Sequence, residues 1–504
     1  MDLDSFFSSV NVAAVFLITA ISLLFLKIVL KATWRSCSQK LPPGPWRLPV
    51  IGSVHHLAGA LPHHGFRELS TKYGAVMWLQ LGETPTVVVS SAEAAKEVLR
   101  THDVIFAQRP HLPAADVVLY GSTNITFSPV GDHWKLLRKI CSLEMVNAKR
   151  VRSFQPLREK VVSSLMTQLS EQARSSSLVN LSEKIYTTIF DITSKAAFGE
   201  NYKSRDELFF ISEIMLKSSE SRSICDIFPS QNWLAVISGM KGKWETMHRM
   251  ADTVLEKITS GVGATSSKVV GGEADCLLSA LLNAKEDGSL TSDNVKAVML
   301  DMILGGTETS STIIEWAMAE LLRNPRLMKK TQAEIRQVVS DNKGCIDETT
   351  LENLRYLKAV IKETLRLHPP APFLIPRECT QTCEINGYTI PVGTQVLVNV
   401  WAIGRDPDYW SLAEEFLPDR FLNLAIDYKG FNFEYLPFGS GKRICPGMLF
   451  GVASVEIVLA HLLCRFDWEL PSGTLPETLD MTETLGTTMR RKNHLILIPR
   501  RYYS

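Results

Sequence analysis

The sequence predicts a mainly α-helical fold with small peripheral β-sheets, preceded by an N-terminal transmembrane helix. Three patterns carry that expectation. Residues 5–26 hold no charged side chain and are rich in Val, Ile, Leu and Phe, a run long enough to cross a bilayer as a helix. Residues 292–322 form a long apolar segment with few charges, closed by Asn324-Pro325. A helix so apolar has to be buried on most sides. Strand-like patterns are short and lie towards the two ends of the chain, at residues 76–81 and 86–89 and again at 384–390 and 495–498.

Taken in order, the chain opens with the anchor, assigned to residues 1–30. Asp2 and Asp4 precede the apolar run, and Lys27, Lys31, Arg35 and Lys40 follow it. That bias of basic residues places the rest of the chain in the cytosol. A cleaved signal peptide would want a basic leader and a shorter apolar core, so a single-pass, uncleaved anchor is expected. With that orientation the formal glycosylation sites at Asn124 and Asn180 stay unmodified. Residues 31–45 are basic and then proline-rich, ending Leu41-Pro42-Pro43-Gly44-Pro45. Prolines fix φ, so this reads as a semi-rigid hinge. No linker of comparable strength follows, and residues 46–504 are read as one folded domain, although length alone would allow two to four. The Gly/Ser-rich stretch 261–272 is expected to be a surface loop.

Composition excludes several classes. The 504 residues are 45% apolar and 21% charged, which argues against extended disorder. A net charge of +1 gives nucleic acid nothing to bind. Nine cysteines, an odd number without a Cys-x-x-Cys pair, suit a reducing compartment. Cys379 and Cys383 have no histidine nearby, and His55, His56, His63 and His64 lack a third ligand type. Neither cluster is expected to hold a metal.

The most informative run is Phe438-Gly439-Ser440-Gly441-Lys442-Arg443-Ile444-Cys445-Pro446-Gly447. A lone cysteine is usually a small buried hydrophobe. Here glycines allow close backbone approach, and an arginine stands two residues ahead. A thiolate needs nearby positive charge or a metal to stay deprotonated. A flat cofactor with propionates needs an arginine and room beside the main chain. Haem iron with an axial thiolate meets all these conditions. A second feature, Gly305-Gly306-Thr307-Glu308-Thr309-Ser310, lies inside the apolar helix. Mid-helix glycines cost about 1 kcal/mol each relative to alanine, so a pair needs a reason. A locally widened helix with room for dioxygen and a water would supply one, with Glu308 and Thr309 as proton donor and hydroxyl relay. A kinked core helix, its threonine bonded back to a carbonyl, is the plainer alternative. Glu363 and Arg366 share a helix face, as do Trp134 and Arg138.

These runs resemble the cytochrome P-450 haem-thiolate monooxygenases. Residues 438–447 resemble the haem-ligand loop, 305–310 the oxygen-activation motif, and 41–45 the hinge of microsomal members. Residues 41–45, 399–407 and 432–439 are similar, more narrowly, to the plant microsomal clan that decorates specialised metabolites. The resemblance implies the cytochrome P-450 fold and a haem b whose iron is held by Cys445 within a loop containing Phe438 and Gly439. It implies that Trp134, Arg138, Arg377 and Arg443 meet the propionates and that Thr309 and Glu308 serve oxygen activation. Glu363, Arg366 and Arg420 would form a buried network behind the haem loop. Electrons would come from NADPH through a separate NADPH–cytochrome P-450 reductase, with the haem-binding catalytic domain on the cytosolic face of the endoplasmic reticulum membrane. The pocket would be lined near Phe127, Asp301, Gly305, Ala371, Phe373 and Leu485; Gly305 stands where alanine is more usual, which enlarges it. A mostly apolar lining favours a small apolar substrate, a terpenoid (sesquiterpene or diterpene) ahead of an indole alkaloid or phenolic. Two rivals use the same cofactor: a hydroperoxide-rearranging enzyme, which needs no external electrons, and a non-catalytic haem-binding membrane protein.

Overall fold

The structure is a computed structural model describing residues 40–59, 61–200, 202–219, 224–262, 276–342, 346–486 and 488–502. The anchor expected over 1–30, most of the hinge and most of the 261–272 stretch lie outside these residues. Eight helices position the site: α1 (Pro62–Tyr73), α2 (Asp132–Cys141), α3 (Gln155–Arg174), α4 (Leu181–Phe198), α5 (Ser292–Arg323), α6 (Pro325–Asp341), α7 (Arg355–Leu367) and α8 (Met448–Arg465).

Helix α5 is the apolar segment read from the sequence, and its ends have local causes. The Thr291 hydroxyl accepts from the Asn294 N–H, and the Asn294 side chain accepts from the Thr291 N–H, closing a capping box. At the other end Pro325 cannot continue the helix and instead opens α6. Between these ends α5 packs on α4, α7 and α8. Helix α8 is the only helix among the described residues apolar and long enough to span a bilayer by composition alone, and 56% of it is buried inside the protein, where it packs on α3, α5 and α6.

The strands stay peripheral. One sheet has the order β1 (Val76–Leu81), β2 (Thr84–Val89), β7 (Gln395–Val398), β4 (Arg377–Glu378). Its β1–β2 pair is antiparallel, with Val76 opposite Val89, and β2 runs parallel to β7, with Thr86 opposite Gln395. A second sheet joins β3 (Val179–Asn180), β11 (Ile496–Arg501) and β8 (Phe466–Glu469). Residues 384–390, read as one strand, are instead a hairpin of β5 (Cys383–Ile385) and β6 (Tyr388–Ile390). Asn386 and Gly387 turn it with φ of 53° and 75°, the left-handed pair a tight hairpin requires. A further hairpin, β9 (Glu483–Leu485) with β10 (Met489–Arg491), folds back towards α5. The main apolar core runs through α3, α4, α5, α7 and α8, and a smaller one lies against the four-stranded sheet.

Candidate active site

An internal cavity lies between the middle of α5 and the loop that leads into α8. Gly305, Gly306 and Thr309 form one wall, and Phe438, Gly439, Cys445 and Gly447 face them. The loop is shaped by its glycines. Gly439 and Gly441 adopt φ of 70° and 72°, where a side chain would be strained. A Cβ on Gly441 would also fall 2.4 Å from the Leu99 carbonyl oxygen. The Cys445 N–H donates to the Phe438 carbonyl at 3.0 Å, which folds the loop back and turns the thiol to the cavity. Burial pushes the Cys445 thiol up from its ordinary value, while the N–H groups of Gly447 and Met448 and the charge of Arg138 pull the other way. Those N–H groups are the free donors at the start of α8, so the helix terminus favours the thiolate.

Four arginines line one end of the cavity: Arg109, Arg138, Arg377 and Arg443. Arg443 donates to the carbonyls of Ala107 (2.8 Å), Ile125 (3.2 Å) and Ser128 (2.5 Å). Its guanidinium lies 4.5 Å from the Trp134 ring, which also carries Arg138 at 5.5 Å. Trp134 itself sits behind these cations and donates to the Ile125 carbonyl. Arg377 reaches Asp103 at 3.3 Å and the Ser440 carbonyl at 2.9 Å. Arg109, absent from the expectations, is held by the carbonyls of Thr126, Ile375 and Pro376 at 2.7–2.8 Å. Burial, with Arg443 and Arg377 close by, lowers its affinity for a proton well below the ordinary value. Three of the four guanidiniums bond only backbone carbonyls among the described residues, so this end carries an excess of buried positive charge.

On α5 the expectations divide. The helix runs unbroken through Gly305 and Gly306, with no widened turn. The two glycines have separate causes: a Cβ on Gly306 would lie 2.8 Å from Thr193 Cγ2 of α4, whereas one on Gly305 would meet nothing within 4 Å and enter the cavity. Thr309 lines the cavity with its hydroxyl donating to the Gly305 carbonyl at 2.7 Å, the back-bonded arrangement. Glu308 does not face the cavity. Its carboxylate accepts from the Thr488 hydroxyl at 2.7 Å, just outside the cavity-lining stripe, and burial raises its pKa to about 7.

Of the six expected pocket residues, Asp301, Gly305 and Ala371 line the cavity. Asp301 accepts from the Thr126 N–H (3.0 Å) and hydroxyl (2.7 Å), and burial raises its pKa to about 6 against those bonds. Phe127 packs on the main core, Phe373 sits 5.2 Å from the Phe66 ring, and Leu485 packs beside Trp401 and Met489. None of these three reaches the cavity. The buried network does assemble. Glu363 accepts from Arg366 Nε and Nη2 at 2.8 Å each, from Arg420 Nε at 3.0 Å and from the Leu417 N–H at 2.8 Å.

A family profile described as Cytochrome P-450 matches residues 42–498 of the chain. Curated relatives are similar along nearly the whole length. A desmethyl-deoxy-podophyllotoxin synthase of Sinopodophyllum hexandrum is 50% identical, covering 95% of this chain and 96% of the relative. A salviol synthase of Salvia pomifera is 47% identical (94% and 95%), and a 5-epiaristolochene 1,3-dihydroxylase of Nicotiana tabacum 48% (92% and 93%). Among solved structures, a zebra fish cytochrome P-450 with abiraterone superposes with a TM-score of 0.75 at 25% identity, covering 88% of this chain and all of that one.

Proposed function

We propose a substrate class and a set of residue roles for this chain, which belongs to the cytochrome P-450 family and is a haem-thiolate monooxygenase. The residues around the cavity fit haem. A sulfur lines the cavity, and four guanidiniums that outnumber the nearby carboxylates of Asp103 and Asp301 suit a flat group bearing two propionates. When bound, haem supplies the activation of dioxygen with electrons from NADPH. We assign Cys445 as the iron ligand, on the strength of its place in the glycine-shaped loop that lines the cavity opposite Gly305 and Thr309 and beside the arginines. Arg138, Arg377 and Arg443 are assigned to the propionates, Arg109 is added to them, and Trp134 is the platform beneath two of them. Phe438 and Gly439 hold the loop against the cofactor's face. The proton relay at the cavity is assigned to Thr309 alone, because Glu308 is bonded to Thr488 and does not line the cavity. Glu363, Arg366 and Arg420 hold the fold. Residues 1–30 anchor the protein in the endoplasmic reticulum membrane, residues 31–45 form the hinge, and residues 46–504 are the cytosolic catalytic domain, served by NADPH–cytochrome P-450 reductase.

The substrate is a small apolar plant metabolite, with a terpenoid preferred. One observation carries this: polar side chains on the α5 side of the cavity are satisfied within the protein. Asp301 takes both donors of Thr126, Thr309 donates to the Gly305 carbonyl, and their neighbours in the lining include Ile125, Met302, Gly305, Ala371 and Leu374. A substrate there meets few free hydrogen-bonding groups, so an apolar one loses least on entering. Relatives named as a 5-epiaristolochene dihydroxylase and a premnaspirodiene oxygenase, at 48% and 47% identity, are consistent with oxygen insertion into a hydrocarbon. The second reading keeps the chemistry and changes the scaffold, because the relative at 50% identity is named for a podophyllotoxin.

The test is co-expression with a plant reductase in microsomes, fed sesquiterpenes, diterpenes, indole alkaloids and phenolics. A terpene product heavier by one oxygen, formed only with NADPH, is expected. Turnover without NADPH, or products from phenolics alone, contradicts the proposal. Thr309→Ala should consume NADPH with less product formed per equivalent; unchanged coupling removes Thr309 from the relay.

A further inference from the structure

Outside the cavity, three histidines converge on one carboxylate. His63 and His64 lie in the first turn of α1, His368 follows the last residue of α7, and Glu483 opens β9. His63 Nε2 is 2.9 Å and His64 Nε2 3.2 Å from the same oxygen, Glu483 Oε2. His368 Nδ1 is 3.8 Å from the other oxygen, Oε1. One ligand atom from each of His63, His64 and Glu483 falls within 4.8 Å of the others. The carboxylate missing beside the histidine pair in the sequence stands some 420 residues away from it.

Hydrogen bonds to Glu483 satisfy Nε2 of His63 and of His64, although the buried His63 Nδ1 has no partner among the described residues. They do not account for His368. Its ring is buried and stacked flat on Trp316, with centroids 4.0 Å apart and planes 4° apart. Its Nε2 lies 2.8 Å from Glu320 Oε1, which makes Nε2–H the donor and leaves a lone pair on Nδ1. Among the described residues Nδ1 has no hydrogen-bond partner. A buried lone pair facing a carboxylate oxygen across 3.8 Å is unfavourable unless a cation lies between them. A carboxylate on one ring nitrogen with the other nitrogen free is also the orientation that outer carboxylates impose on metal-bound histidines.

Other features agree. Two ligand atoms about 2.0 Å from one tetrahedral ion stand roughly 3.3 Å apart. The observed separations of 2.9 and 3.2 Å therefore need only small shifts. The His64 side chain is 43% exposed, so an ion has a way in. The nearby cation Arg405 is answered by Glu414 at 3.1 Å and by the face of Trp401 at 4.0 Å. Two imidazoles and one carboxylate, with a third imidazole beside the carboxylate, suit a borderline divalent ion, zinc above calcium or magnesium.

We propose that His63, His64 and Glu483 hold a Zn2+ ion that fastens α1 to the β9–β10 hairpin, with His368 turned to the second oxygen of Glu483. Pro370 and Ala371, just beyond His368, line the cavity, and Pro370 accepts a hydrogen bond from the Met489 N–H at 2.8 Å. The ion therefore braces one edge of the substrate cavity from outside without touching the reacting atoms.

The test uses full-length haem-loaded protein, dialysed against EDTA and titrated with zinc chloride. Zinc per haem is read by mass spectrometry after desalting, and the reduced-CO spectrum reports an intact haem pocket. Wild type is expected to retain one zinc per haem. His64→Gln, at a half-exposed position, should bind at least about tenfold more weakly with an unchanged CO spectrum. His111→Gln, an exposed histidine elsewhere, should bind as wild type does. Failure of wild type to retain zinc overturns the site. Equal retention by His64→Gln also overturns it, because the metal then sits on other side chains.

Discussion

Replacing Glu363 by Gln removes one buried negative charge and strands two buried positive ones. The carboxylate is fully buried and takes four donors, three of them from Arg366 and Arg420. Glutamine keeps one acceptor oxygen but turns an NH2 group towards guanidinium N–H. Arg366 keeps its bonds to the carbonyls of Gly404, Ala413 and Glu415, which satisfy its donors without neutralising it. Breaking a buried pair in this way costs about 3–5 kcal/mol. That is a fifth or more of the stability of an ordinary domain, about 5–15 kcal/mol. Urea unfolding of the haem-loaded protein, followed by tryptophan fluorescence and by haem absorbance, measures the loss as a fall in midpoint at constant slope. A second variant separates charge from shape. Arg420→Met in the Glu363→Gln background removes one stranded cation, so the double variant should lose less than the two single losses added, with about 1–3 kcal/mol of coupling. A Glu363→Gln loss below about 1 kcal/mol, or strict additivity, refutes the account of this network.

Two further perturbations follow from distances and burial. Gly306→Ala should cost about 1–3 kcal/mol, because its Cβ would overlap Thr193, whereas Gly305→Ala should leave stability unchanged or raised by about 1 kcal/mol while narrowing the cavity; urea midpoints separate them, and equal effects contradict the different causes given to the two glycines. Glu308 has a folded pKa raised from 4.5 to about 7, so the folded state holds a proton that the unfolded chain gives up, and stability falls as pH rises between those values. The loss amounts to about 3 kcal/mol across that window, is absent in Glu308→Gln, and appears as the difference between the two proteins' urea midpoints plotted against pH.

Much of this was legible where the cause is local. The ends of α5 are written in Thr291 and Asn324-Pro325, the α8-capping loop in a single run of residues, and the Glu363–Arg366 pair in a spacing of three. What was not legible depends on angle or on distant partners. Positions 301, 302, 305, 306, 309, 310 and 313 of α5 form one stripe at 100° per residue, and 308 falls just outside it, which is why Glu308 turns to Thr488. That stripe could have been drawn from the sequence and would have separated Thr309 from its neighbour. Arg109 carried a weaker signal, a charged residue before Pro110, and only the fold shows that it joins three other arginines. Phe127, Phe373 and Leu485 are apolar residues near the cavity in sequence register, yet the core takes them, as it takes most such side chains. The 384–390 run hid a turn because Asn-Gly was read inside a strand pattern. The expectation that the histidines hold no metal rested on sequence neighbours alone, and β9 brings Glu483 to them from the far end of the chain.

The central claim is that the Cys445 sulfur, at the mouth of α8, is the axial ligand of a haem iron. The most direct measurement is the reduced-CO difference spectrum of purified wild type beside Cys445→Ala, with haem content and circular dichroism measured on the same samples. The account predicts a thiolate-ligated band in wild type and its loss in the variant while helical content persists. The same thiolate band in Cys445→Ala, or a wild-type preparation with no bound haem despite ample porphyrin during expression, would contradict it.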